Sequence, residues 1–258
     1  MNERLVQTLE TTARFREYST RIRTFFQKSD VDIKDFFERF CSVPYPSGLV
    51  VLSGALNLET QLSLARQSID EYAFYPHNNL SALGKHSQPL SRYDHLKHIR
   101  WSCLGYNYDW TNRIYKEGWK SDFPKYLADL SLDLLNLAGY TEGYRPEAAI
   151  VNFYNPNQKM GPHRDDAEFT MDKPIVSISL GCDAIFCIET KPFSADSNFS
   201  SVYIRSGDVV VMGGESRSAL HCVPMIFDNT FELTEDDDET IQFLNKKRIN
   251  INVRQVHA

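Results

Sequence analysis

The sequence predicts an α+β fold in which an antiparallel jelly roll fills the second half of the chain, with flanking helices and an N-terminal helical arm ahead of it. Three observations carry this prediction. Residues 1–40 lack proline and repeat apolar side chains at helix-like spacing. Tyr126, Leu127, Leu130, Leu134 and Leu137 recur in steps that keep one helical face apolar. From residue 147 onward, short β-type runs succeed one another with turn residues between them and no helical pattern intervening.

In chain order, Phe15, Ile22, Phe25, Phe26, Phe36, Phe37 and Phe40 supply the apolar positions of the arm, and Pro44, Pro46 and Gly48 end it. Leu49–Leu52 is a short apolar run, and Asn57 opens a further helix. Ser87–Gly118 is polar and rich in aromatic residues without a sustained period, which reads as loops and short strands. The helix beginning near Tyr126 stops at Gly139. Strands are then expected at Ala148–Tyr154, Pro174–Leu180, Ala184–Glu189, Ser201–Arg205, Asp208–Met212 and Lys247–Arg254. Asn155–Pro156, Gly181 and Ser206–Gly207–Asp208 supply turns between them.

At 258 residues, 42% hydrophobic and 24% charged, the chain can bury one sizeable core with appended elements. It has no apolar run of membrane-spanning length, and its opening lacks the form of a secretory signal. The expected location is therefore intracellular, in nucleus or cytoplasm. Arg4, Arg14, Arg16, Arg21 and Arg23 make the mitochondrion an alternative, although Glu3, Glu10 and Glu17 interrupt them. Five cysteines without a CxxC pair argue against a disulfide framework or a zinc ribbon and for a reducing compartment. The net charge of −6 disfavours a polyanionic partner at first sight, but Glu232, Glu235, Asp236, Asp237, Asp238 and Glu239 alone carry that much, so the remainder is balanced. Such a run reads as a solvated loop.

The chemistry-bearing residues lie among the strands. In an extended segment the side chains of His163 and Asp165 project to the same side, within reach of one metal. His221 lies beyond several strands that a sandwich can fold back onto them. Two histidines and one carboxylate cover one face of an octahedral Fe(II) and leave the opposite positions open. His77, His86, His95, His98 and His257 read as structural or solvated. In the last strand, alternation puts Arg248, Asn250, Asn252 and Arg254 on one face and Ile249, Ile251 and Val253 on the other. That is either the wetted face of an edge strand or an inward anion-binding face. In the second case the planar guanidinium fork suits a small dicarboxylate, with Asn152 and Tyr154 adding an amide and a hydroxyl.

The ordered set Asn152-x-Tyr154, His163-x-Asp165, His221 and Arg248-x-Asn250-x-x-x-Arg254 resembles the AlkB family of dioxygenases over roughly residues 100–258. Pro174–Gly181, Ala184–Phe186 and Ser206–Arg217 resemble it too, in the family's order. Leu104–Trp110 and Asn252–Val256 make the chain most similar to the eukaryotic AlkB homolog 1 type. The resemblance implies a double-stranded β-helix core with metal ligands His163, Asp165 and His221. It also implies 2-oxoglutarate contacts from Asn152, Tyr154, Arg248, Asn250 and Arg254, with Arg248 favoured for the distal carboxylate, and O₂ as the further co-substrate.

The activity implied is oxidative removal of methyl groups from bases of tRNA or DNA, with 1-methyladenine, 5-methylcytosine and N6-methyladenine as candidates. A histone or other protein substrate, and a non-catalytic nucleic-acid-binding role, are the alternatives. Tyr106 is the first base-stacking candidate, followed by Tyr108 and Trp110, and Arg217 or the arm supplies basic contacts. Ala167 departs from the bacterial members, which carry a second carboxylate there. The organisation expected is an arm over 1–45, flanking helices and nucleotide-recognition loops over 46–146, and the dioxygenase core over 147–258, acting as a monomer.

Overall fold

The structure, a computed structural model, describes residues 3–27, 33–41, 44–74, 76–77, 96, 99–109, 111–140, 143–232 and 238–258. The arm forms α1 (Glu3–Phe26) and α2 (Ile33–Phe40), and is followed by β1 (Leu49–Leu52) and α3 (Leu58–Gln67), which runs into a π turn over Ser68–Tyr72. A hairpin of β2 (Trp101–Asp109) and β3 (Ile114–Lys120) precedes α4 (Lys125–Leu137). Then come β4 (Ala148–Tyr154), β5 (Met160–His163), β6 (Ile175–Gly181), β7 (Ala184–Glu189), β8 (Phe199–Ile204) and β9 (Val209–Met212). A 3₁₀ turn over Gly214–Ser218, β10 (His221–Ile226), α5 (Glu239–Lys246) and β11 (Arg248–Arg254) complete the chain. The fold is α+β with a jelly-roll core, as expected.

Two antiparallel sheets face each other. One has seven strands in the order β1-β9-β6-β11-β4-β2-β3, and the other four in the order β5-β10-β7-β8. The larger sheet takes β1, β2 and β3 from residues 46–146, so that region and the one after it share a single sheet. The β2–β3 hairpin is longer than the short strands expected between Ser87 and Gly118.

The alternation read in β11 decides the sidedness of the larger sheet. Ile249, Ile251 and Val253 pack with Val151, Phe153, Val176, Ile178 and Leu180 into the main core. Helical residues Leu64 of α3, Leu127 and Leu134 of α4, and Ile241 and Leu244 of α5 cover them. Because β11 lies between β4 and β6, its polar face cannot be the wetted side of an edge strand. It faces the space between the sheets. At the turn from β6 into β7, Gly181 adopts φ +82°, and a Cβ there would lie 2.2 Å from the Lys247 carbonyl oxygen. Only glycine fits so close a crossing of β6 and the entry to β11.

The arm covers the outer face of the smaller sheet. Phe15, Ile22, Phe25, Phe36 and Phe40 are buried with Ile185, Cys187, Phe199, Leu220 and Cys222. Phe15 stacks on Phe199 at 4.4 Å with planes 6° apart, and Arg14 donates to the carbonyls of Ala195 and Ser197. Local chemistry sets the starts of α3 and α5. The Asn57 side chain accepts from Thr60 N at 2.9 Å, and Asp238 accepts from Thr240 N at 2.7 Å. Asp238 and Glu239, expected in a solvated loop, thus start α5, whereas Glu235, Asp236 and Asp237 lie outside the described residues. No helix among the described residues is long and apolar enough to cross a membrane.

Candidate metal and co-substrate site

β5 ends at His163 and β10 begins at His221, and their antiparallel pairing sets these two residues opposite each other. Their ring centroids are 4.3 Å apart. The chain leaves β5 and turns Asp165 toward both rings, with its Oδ1 3.9 Å from His163 Nε2 and its Oδ2 3.8 Å from His221 Nε2. One ligand atom from each of the three lies within 4.8 Å of the others. Each imidazole is held the same way, with His163 Nδ1 2.8 Å from the Gly161 carbonyl oxygen and His221 Nδ1 3.1 Å from that of Ala219. A proton on Nδ1, donated to the carbonyl, leaves the Nε2 lone pair for a metal.

The electrostatics agree with this assignment. Burial pushes the His221 pKa down to about 4, aided by His163, so the ring is neutral at pH 7. Burial pushes the Asp165 carboxyl up, but Arg254, His221 and His163 outweigh it and hold the group well below the usual carboxylate range. Arg254 donates to Asp165 Oδ2 at 3.0 Å and to Glu168 Oε1 at 2.8 Å. Glu168 is clamped further by Arg217 Nη2 at 2.8 Å and the Tyr115 hydroxyl at 3.0 Å. Two imidazole nitrogens, that of His221 held neutral by burial, beside an ionised carboxylate fit Fe(II).

Beside this triad lies a cavity of about 500 Å³ lined by Asn152, Tyr154, Arg248, Asn250 and Arg254 among others. The register explains their meeting, since Arg248 pairs with Tyr154 and Asn250 with Asn152 across β11 and β4. Asn250 donates to Ser177 Oγ and to the Ile178 carbonyl, and accepts from Asn252 Nδ2 at 3.0 Å. Burial lifts the Tyr154 pKa to about 12, which keeps its hydroxyl a neutral donor.

The two arginines of β11 differ sharply in their partners. Arg254 already sits between two carboxylates. Arg248 is only 3% exposed, and its guanidinium meets the Cys182 carbonyl at 3.2 Å and Ser179 Oγ at 2.8 Å, with no carboxylate in bonding distance among the described residues. Its Nε has no partner. Burial lowers its pKa accordingly. A buried cation bonded only to neutral acceptors, with Asp183 and Asp208 acting on it from beyond bonding distance, lines a cavity and fits the distal carboxylate of 2-oxoglutarate.

The substrate candidates are distributed differently from expectation. Tyr108 lines the cavity, whereas Tyr106 does not. Tyr106 packs beside Ala167, with Lys120 Nζ 4.5 Å from its ring centre and the His257 ring at 5.0 Å. Trp110 lies outside the described residues. Arg217, expected to touch substrate, is 3% exposed, with its guanidinium on Glu168 and on the carbonyls of Lys173 and Asp165. It belongs to the frame behind Asp165. Sequence reasoning missed Glu168, Tyr115, Arg164 and Glu189, whose partners are brought in by the fold and leave no local pattern.

Comparison with known proteins agrees with this geometry. Residues 48–254 match the family described as the 2OG-Fe(II) oxygenase superfamily. The chain is 38% identical over 182 residues to the tRNA demethylase abh1 of Schizosaccharomyces pombe, covering 69% of this chain and 59% of that protein. It is 39% identical over 173 residues to the DNA N(6)-methyladenine demethylase ALKBH1A of Arabidopsis thaliana, covering 62% of this chain and 50% of that protein. The chain therefore spans between half and three-fifths of these relatives' lengths. The solved structure of OsALKBH1 superposes with a TM-score of 0.60 at 22% identity, over 83% of this chain and 99% of that one, which is a likeness of fold. The chain is similar to relatives of the AlkB homolog 1 type, and it belongs to the 2OG-Fe(II) oxygenase superfamily, whose cofactors are Fe(II) and 2-oxoglutarate.

Proposed function

We propose that this protein is an Fe(II)- and 2-oxoglutarate-dependent dioxygenase that oxidises methyl groups on bases of tRNA or DNA. One observation carries the reading: a two-histidine, one-carboxylate cluster opens onto a cavity that also holds a buried arginine bonded only to neutral acceptors. In this reading His163, Asp165 and His221 hold the iron, and Arg248 with Tyr154 receives the distal carboxylate. Asn152, Asn250 and Arg254 border the co-substrate. Bound there, Fe(II) with O₂ and 2-oxoglutarate would supply methyl C–H oxidation, releasing succinate and CO₂.

The protein's own part is positional and electrostatic. The carbonyls of Gly161 and Ala219 fix the imidazole tautomers, and Arg254 keeps Asp165 ionised. Ile150, Phe186, Ile204, Val210 and Met212 give the cavity an apolar wall that limits water. Tyr108, on the same cavity, is the better-placed ring to meet a base, and Tyr106 stands beyond Ala167. Methylated tRNA and DNA are the preferred substrate classes, since relatives named for each match this chain. The five cysteines are all free, which favours a reducing intracellular compartment.

The test is turnover with Fe(II), 2-oxoglutarate and ascorbate on methylated tRNA fragments, DNA oligonucleotides and histone peptides, read by product mass and succinate. Base demethylation that His221→Ala abolishes is the expected result. Turnover confined to peptides would move the activity to proteins, and no turnover by iron-loaded protein would overturn the dioxygenase reading.

A further inference from the structure

The residue between the two ligands of the His163–Asp165 segment and the residue just before His221 are joined through one buried carboxylate. Arg164 Nη2 lies 2.7 Å from Glu189 Oε2, and the same oxygen accepts the Leu220 N–H at 3.0 Å. The Glu189 backbone N–H donates in turn to the Leu220 carbonyl at 2.8 Å, so backbone and side chain of one residue grip the segment that presents His221. Arg164 is anchored independently, by donation to the Ser218 carbonyl and by the Phe193 ring 4.3 Å from its guanidinium carbon. Glu189 is wholly buried at the end of β7, the strand that pairs with β10.

We propose that Glu189 and Arg164 are positioning residues that hold His221 and the His163–Asp165 pair at metal-ligating distance. The proposal rests on reading the triad as the iron site. β5 and β10 form only a short and irregular ladder, with a register shift between His221 and Val223, so backbone pairing alone fixes the ligand spacing loosely. Asp165 lies beyond the end of β5 and has no ladder partner. The bond from Glu189 to Arg164 supplies a tie across that gap, anchored on a strand that ladders with both β8 and β10.

The pair differs from a mere core ion pair in where it attaches. One end is covalently next to two ligands and the other is hydrogen-bonded next to the third. Glu189 Oε1 and Arg164 Nε are also buried without partners, so the pair is held at a single oxygen and is not optimised as an ion pair. That is a costly arrangement for stability alone, and it suits a part whose task is spacing.

The experiment compares wild type, Glu189→Gln, Arg164→Lys and the double variant Arg164→Met/Glu189→Gln, measuring Mn(II) affinity by electron paramagnetic resonance titration and thermal unfolding of the metal-free protein. The double variant removes both charges together, so it keeps the fold even where a single change leaves an unpaired buried ion. The expected result is about a tenfold or greater loss of Mn(II) affinity, the scale of outer-shell partners of metal ligands, in a double variant that unfolds as wild type does. Arg164→Lys, which keeps the charge on Glu189, is expected to retain part of the affinity. A purely structural pair would lower the unfolding temperature and leave the folded protein's Mn(II) affinity unchanged, and that outcome overturns the proposal. Wild type that binds no Mn(II) would overturn the metal centre and the brace together, whereas wild type and double variant binding equally well would overturn the brace alone.

Discussion

A buried guanidinium and a buried carboxylate set the residue-scale behaviour of this site. Arg248 meets only neutral acceptors, so replacing it by Met leaves His163, Asp165 and His221 untouched and removes the proposed receptor for the co-substrate. A charge-assisted hydrogen bond contributes about 1.5–3 kcal/mol, so Arg248→Met should raise KM for 2-oxoglutarate by roughly ten- to hundredfold, while Mn(II) affinity stays as in wild type. Steady-state kinetics with varied co-substrate, beside metal titration, checks both halves. Glu168 gives a pH signature. Burial raises its pKa, but Arg254 and Arg217 outweigh this, so the folded value falls below the ordinary 4.5. Its contribution to stability is therefore fully present above pH 4.5 and lost as pH drops below that value. Denaturation of wild type and Glu168→Gln should show the largest gap near neutrality and a narrowing gap on acidification, and a gap independent of pH would sink this account. The HxD pair and the β11 alternation were legible because both are short-range patterns. Glu168 was not, because its arginine partners stand 49 and 86 positions away.

The same distinction between local and distant causes governs the elements. β4 and β7 match the sequence expectation end to end, since each centres on β-branched and aromatic residues, Ile150, Val151 and Phe153 in one and Ile185, Phe186 and Ile188 in the other. β5 and β10 were not foreseen, although they carry His163 and His221. Gly161 and Pro162 fill half of β5, and Pro224 sits in β10 where its pairing with β7 is irregular, so neither reads as a strand in isolation. They exist because neighbouring strands and the arm hold them. Leu220 and Cys222 turn their side chains to the arm, while His221 between them turns to the cavity. The arm is thus the back wall of the strand that begins at His221. Phe15 is fully buried against Phe199, and Phe15→Ala should cost about 3–5 kcal/mol of unfolding free energy, measured by denaturant titration. A loss under 1 kcal/mol, of the size expected at a surface position, would mean that the arm is only loosely attached.

At the scale of the whole molecule, the cavity limits what can be a substrate. Its ligand-bearing end is built from β-strands of two facing sheets, and its volume of about 500 Å³ holds a co-substrate and a single base but no duplex. On the proposed activity, a paired base must therefore leave its stack before its methyl group can approach His163, Asp165 and His221, at a cost of a few kcal/mol. The net charge of −6 supplies little general attraction to phosphate that could offset this. With the same methylated base placed once in an unpaired loop and once in a perfect duplex, the loop should be turned over at least about tenfold faster in kcat/KM. That follows because even 1.4 kcal/mol of extrusion energy is a factor of ten. A mismatch opposite the base should recover much of the difference, because it removes pairing without changing the base itself. If loop, mismatch and duplex react alike, extrusion is not part of the energetics, and the surface around Tyr106 and Tyr108 would have to open the duplex actively. A preference for the unpaired base that disappears in Tyr108→Ala but persists in Tyr106→Ala would identify the cavity-lining ring as the one that holds the extruded base.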